Sequence, residues 1–124
     1  YGRTPSPGEV VTFADPLEPS RTLVKRVIAT EGQTVDFKDG VLYVDNVPRK
    51  ESYTNGLPSY AFTKTAPGVE ISYPYVVPAG KLWVMGDNRT NSQDSRYYGA
   101  VPVSSVSGRV CVTYWPLDHL GLIE

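Results

Sequence analysis

Glycine and proline punctuate this chain throughout, at 11 residues each in 124. The apolar runs between them are short and rich in β-branched residues. No stripe of helical period persists for three turns. Such a chain is suited to short strands joined by tight turns, and it predicts an all-β domain. Its length fits one domain with a modest core.

The strands can be placed. Residues 9–13 form a first strand after Pro7-Gly8, and residues 15–20 a loop. Residues 21–30 are apolar on both faces and predict a central strand. Residues 34–38 and 41–44 flank Asp39-Gly40, the dipeptide that favours a primed turn matching strand twist, and so predict a hairpin. Residues 49–78 are rich in Tyr, Pro and Thr, with Asn55-Gly56 and Pro67-Gly68 turns, and predict an irregular β excursion. Residues 81–85 and 107–114 are the remaining strands, the last ended by Pro116.

Composition removes several function classes. Apolar residues at 40% and charged residues at 20% describe a globular chain. A net charge of −1 without a Lys/Arg cluster argues against nucleic acid as the main partner. The single Cys111 excludes an internal disulfide, and the single His119, in the tail, is read as a surface residue without chemistry. No run reaches the roughly 18 apolar residues that span a bilayer, and no signal peptide is visible. The chain opens on Tyr1-Gly2-Arg3 without Met, and is read as a soluble piece of a longer protein.

Two segments carry chemistry. In Leu23-Val24-Lys25-Arg26-Val27-Ile28, strand alternation sets Lys25 on one face with Leu23 and Val27, and Arg26 on the other with Val24 and Ile28. Both faces are apolar, so one of the cations should sit against hydrocarbon. Desolvation penalises the ammonium form of a lysine, and a neutral amine can take a proton from a serine hydroxyl. Arg stays charged and cannot. If a general base lives here it is Lys25; the alternative is an edge strand with two snorkelling cations. The second segment is Gly86-Asp87-Asn88-Arg89-Thr90-Asn91-Ser92-Gln93-Asp94-Ser95-Arg96-Tyr97-Tyr98-Gly99. Asp and Arg interleave more densely than a plain loop requires, which predicts a salt-bridged knot able to support a catalytic group placed elsewhere. Ser95 is read as capping backbone groups, Tyr97 and Tyr98 as packing, and Gly86 and Gly99 as supplying positive φ or close backbone approach.

The pattern Gly-Asp-Asn-Arg-x-x-Ser-x-Asp-Ser-Arg-x-x-Gly over residues 86–99 resembles the C-terminal signature box of type I signal peptidases, membrane-anchored Ser/Lys proteases that remove signal peptides from exported proteins. Lys25-Arg26-Val27-Ile28 resembles the family's lysine box, residues 7–13 its Gly-Asp-Val-Val-x-Phe strand with Glu9 for Asp, and residues 112–117 with Gly121 its closing Trp-Pro segment. The family usually continues its lysine box with Gly-x-Pro-Gly-Asp. This chain reads Ala29-Thr30-Glu31-Gly32-Gln33, which predicts the same turn with different hydrogen bonds.

The resemblance implies a signal peptidase/LexA-like mixed β fold with a small inserted β excursion, residues 45–80 being the part that varies among members. It implies Lys25 as general base, Ser92 as the hydroxyl that orients its amine, and Asp94 and Arg96 as an ion pair, with Asp87, Arg89 and Arg26 in support. Plain loop architecture is the alternative for these charges, and here the two are the same physics. The family's nucleophilic serine and oxyanion hole belong to a Ser-x-Met-Pro-like box upstream of the first strand. Ser6 has the wrong neighbours for it, so the isolated chain is expected to be inactive. The implied substrate is a signal peptide bound as an added strand with Ala-x-Ala preference, its walls drawn from the strands around Lys25 and residues 10–13. The implied location is the extracytoplasmic side of the cell membrane, anchored by an N-terminal segment absent from this chain. No metal or cofactor is implied. Loss of a first strand would leave an open edge, so dimerisation or aggregation of the isolated domain is expected. The alternatives are a conjugation-type or self-cleaving Ser/Lys peptidase, the latter lacking this Asp/Arg run, and a non-catalytic reader of signal peptides, which the altered turn would favour.

Overall fold

The computed structural model describes residues 4–110. Cys111, His119, the end of the predicted last strand and the Trp-Pro segment with Gly121 lie outside them.

Among the described residues, nine strands form two antiparallel sheets. They are β1 (Val10–Ala14), β2 (Thr22–Thr30), β3 (Thr34–Lys38), β4 (Val41–Val44), β5 (Val47–Pro48), β6 (Tyr75–Val76), β7 (Lys81–Met85), β8 (Val101–Pro102) and β9 (Val106–Val110). The first sheet runs β8-β7-β2-β1-β9 and the second β5-β4-β3-β6. The all-β reading holds, with β2 at the centre of its sheet as its two apolar faces require. One four-residue helix, α1 (Ser95–Tyr98), sits within the Asp/Arg run.

Two cores follow from the faces of the first sheet. One gathers Val11, Phe13, Val27, Leu82, Val84, Tyr98 and Val101, with Leu23 packed against it. The other lies between the sheets and joins Ile28, Ala29, Trp83 and Met85 to Val35, Leu42 and Val44. Strand β2 serves both through its two faces, and its register against β7 shifts: Val27 pairs with Val84, but the next pair is Ala29 with Trp83. The extra residue, Ile28, is a β-bulge, which breaks strict alternation. Val27 therefore faces the first core while Ile28 and Ala29 both enter the second.

The β3–β4 hairpin turns at Asp39 (φ 51°) and Gly40 (φ 80°), the paired positive angles of a primed turn. Gly32 likewise takes φ 83°, and Gln33 closes its turn by accepting from the Thr30 amide at 2.9 Å through its side-chain oxygen. The turn forms, and Gln33 closes it.

The excursion is less β-like than its composition suggests. Its ends are β5 and β6, but residues 49–74 hold only a 3-10 turn at Ser52–Thr54. Prolines remove donors there, and much of the segment is anchored by side chains instead. Among the described residues no helix is long and apolar enough to cross a membrane.

Candidate active site

Strand β7 ends with Met85 paired to Arg26, and the Asp/Arg run starts at that point. The run therefore arrives beside the middle of β2, where Lys25 and Arg26 lie. Alternation gives Lys25 the face of Leu23 and Val27, opposite Val11 of β1. Sequence reasoning asked for one cation against hydrocarbon; both are buried, each 4% exposed.

The Lys25 amine donates to Ser92 Oγ at 3.4 Å, and the Ser92 hydroxyl donates to Asp94 Oδ2 at 3.0 Å. Asp94 is fully buried and receives five donors. Its Oδ1 accepts from the Arg96 amide (3.0 Å) and Arg96 Nε (2.9 Å). Its Oδ2 accepts from the Gly86 amide (3.1 Å), Arg96 Nη2 (2.8 Å) and Ser92. The same carboxylate caps α1, which explains a helix this short: the Asp94 side chain takes the Arg96 amide, and Gly99 at φ 85° ends it. Ser95 does bond a backbone group, its Oγ accepting from the Val84 amide at 2.9 Å.

The run's charges do not simply pair with their neighbours. Three two-point ion pairs form, of the geometry that makes Arg–carboxylate contacts strong. Arg96 holds Asp94 as described. Arg26 reaches Asp87 through Nε (2.9 Å) and Nη2 (2.8 Å), and donates Nη1 to the Gly8 carbonyl (2.9 Å). Arg89 does not meet Asp87; it reaches Glu51 through Nη1 and Nη2, both at 2.7 Å. The structure thus brings Lys25, Ser92, Asp94 and Arg96 into one chain of contacts. Arg26 and Asp87 form a separate pair on the other face of β2.

The excursion supplies what sequence reasoning missed. Glu51 belongs to a segment read as variable, yet its side chain is 7% exposed and faces Arg89. Tyr53 lies under Arg26, 3.9 Å from guanidinium carbon to ring centre, and donates its hydroxyl to Glu51 Oε2 at 2.8 Å. Burial, with the Glu51 charge added, pushes the Tyr53 hydroxyl up to about 12. Phe62 lies 4.5 Å from Arg96 in the same way, and Arg96 Nη1 donates to the Tyr60 carbonyl at 3.2 Å. One signal was available: Arg26, Arg89 and Arg96 outnumber Asp87 and Asp94, so three buried guanidinium groups needed a third carboxylate from elsewhere.

An amine that donates an N–H to a hydroxyl is held toward it, and in its neutral form an amine can accept a proton. A shallow cleft of about 140 Å³ opens where Pro7 and Gly8 meet Val27, Ile28 and Tyr53; Lys25 does not line it.

Comparison with known proteins bears on what such an amine serves. The family model described as "Signal peptidase, peptidase S26" matches residues 1–115. A probable signal peptidase I of Mycobacterium leprae is 40% identical over 90% of this chain and 45% of its own length. A probable signal peptidase I-1 of Synechocystis is 33% identical over 94% of this chain and 58% of its own. The chain spans about half the length of the curated relatives it matches. The crystal structure of a signal peptidase I from Enterococcus faecalis superposes with a TM-score of 0.70 at 31% identity, covering 88% of this chain and 98% of that one.

Proposed function

The chain belongs to the signal peptidase family, peptidase S26, and from that premise we propose that it carries the Lys25 half of a Ser/Lys dyad in a membrane-anchored serine endopeptidase that cleaves signal peptides from exported preproteins. The observation that carries the reading is a lysine amine, 4% exposed, 3.4 Å from the hydroxyl of Ser92 in the family's signature run. Residues 45–80 are the family's length-variable insert on one extracytoplasmic peptidase domain.

In this reading the nucleophilic serine comes from the part of the protein outside this chain. Its oxygen attacks the scissile carbonyl carbon while its proton moves to Lys25 Nζ. The tetrahedral species collapses, the peptide C–N bond breaks, and the Lys25 ammonium returns the proton to the leaving amine. Water then attacks the ester carbonyl and loses a proton to Lys25; the bond from that carbon to the serine oxygen breaks, the acid product leaves, and the Lys25 ammonium returns the proton to the serine oxygen. The first step needs the neutral amine. Ser92 contributes by holding an amine that sits on four rotatable bonds. Asp94 and Arg96 contribute by holding Ser92, and Arg26 with Asp87 by fixing the run to β2. The isolated chain, without the serine, is expected to be inactive. The altered turn at Ala29–Gln33 gives little support to a non-catalytic reader of signal peptides, because Gln33 closes it.

The test is preprotein cleavage by the full-length protein beside its Lys25→Met variant, which keeps length and removes the amine. Wild-type cleavage after Ala-x-Ala, with a folded variant that does not cut, is the expected result. Equal cleavage by both would remove Lys25 from the mechanism. Binding of signal peptides without cleavage by either would make the protein a reader.

A further inference from the structure

Arg89 is a fully buried cation whose charge is met from outside the signature run. Its side chain is 0% exposed, and both terminal nitrogens go to Glu51 at 2.7 Å. Its other hydrogen bonds reach both the run and the excursion. Nε donates to the Gly86 carbonyl at 2.7 Å, and Nη1 also donates to Ser59 Oγ at 3.1 Å. The Arg89 carbonyl accepts from Arg96 Nη1 at 2.9 Å. Gly86 in turn donates its amide to Asp94 Oδ2, the oxygen that also takes the Ser92 hydroxyl. Arg89 therefore touches two of the groups that fix Asp94, one through Gly86 and one through Arg96. The contacts are continuous from Glu51 through Arg89 and Asp94 to Ser92 and Lys25.

We propose that Glu51 is a positioning residue for Lys25, acting through Arg89; this rests on the reading of Lys25 as the base. Removing one partner of a buried ion pair leaves the other uncompensated. A guanidinium released from Glu51 has acceptors of the run within reach, including the Gly86 carbonyl it already holds. Re-aiming toward them pulls on Gly86 and on the Arg96 side chain, and so on the carboxylate that orients Ser92. The excursion thereby bears on the geometry of Lys25. Tyr53 adds to this by donating to Glu51 Oε2 at 2.8 Å, which holds the carboxylate in the plane Arg89 needs.

The experiment uses the full-length protein with Glu51→Gln, which keeps shape and removes charge, beside Val44→Ala, a cavity in the core between the sheets at a residue that makes none of these hydrogen bonds. Steady-state cleavage of a signal-peptide substrate gives kcat and KM. The Cε resonance of Lys25 in 13C-lysine-labelled protein reports the amine without requiring turnover. The expected result is a kcat about tenfold lower at unchanged KM, with a displaced Lys25 resonance, in Glu51→Gln only. Val44→Ala should lower Tm and move neither. In an Arg89→Met background, Glu51→Gln should add nothing. Wild-type kcat and resonance in Glu51→Gln, equal changes in Val44→Ala, or additive losses with Arg89→Met would each overturn the proposal. If Lys25→Met cuts like wild type, the base assignment fails by itself, and the resonance still decides whether Glu51 positions this amine.

Discussion

Asp94 is the residue on which most of the site converges, because two oxygens of one buried carboxylate answer five donors. Asp94→Ala would strand a buried Arg96 and uncap α1 at once. Losing one partner of a buried pair costs about 3–5 kcal/mol, a large share of a typical domain's stability of about 5–15 kcal/mol. Urea denaturation should show that loss, and cleavage should fall with it; a variant as stable as wild type would mean the pair is dispensable. Lys25, Ser92, Asp94 and Arg96 were legible as residues because a cation in an apolar strand and interleaved Asp/Arg are unusual in themselves. Glu51 was not, since nothing local distinguishes one glutamate in an irregular segment. Only the excess of arginine over aspartate hinted at it.

At the level of elements, the hairpin was readable to the residue, and its reason is local: Asp39-Gly40 must accept positive φ at both positions. Gly40 carries a second constraint that sequence does not show. A β-carbon there would lie 3.1 Å from Pro58 Cβ and 3.3 Å from the Tyr60 hydroxyl, because the excursion folds back over the turn. Gly40→Ala should therefore destabilise by about 1–3 kcal/mol, from backbone strain with crowding added. Thermal melts check this, and a neutral outcome would show that the excursion yields. The bulge at Ile28 was not legible, because Val27-Ile28-Ala29 are all apolar and fit either face. Helix α1 escaped notice for a similar reason: four residues have no periodicity to read, and a tertiary carboxylate cap decides them.

Across the whole molecule, burial gives several tyrosines a common direction. It is the leading cause that raises the hydroxyl pKa of Tyr53 (to about 12), Tyr73, Tyr75 and Tyr98. A group raised in the folded state leaves stability intact below its unfolded value, 10.0 for Tyr53. Above it the unfolded chain loses the proton first, so stability falls as pH rises toward the folded value. Urea denaturation from about pH 9 to about pH 11.5 should show that decline, and Tyr53→Phe should make it shallower. An unchanged slope would mean Tyr53 ionises as freely folded as unfolded. The crowded donors on Asp94 also decide where protons can travel. With its lone pairs filled and Arg96 locked against it, Asp94 offers no onward exit, so the path from Lys25 through Ser92 is a cul-de-sac. In the proposed cycle, a proton that Lys25 takes from the serine does not leave through Ser92. The departing amine must then call at the one nitrogen that received the proton.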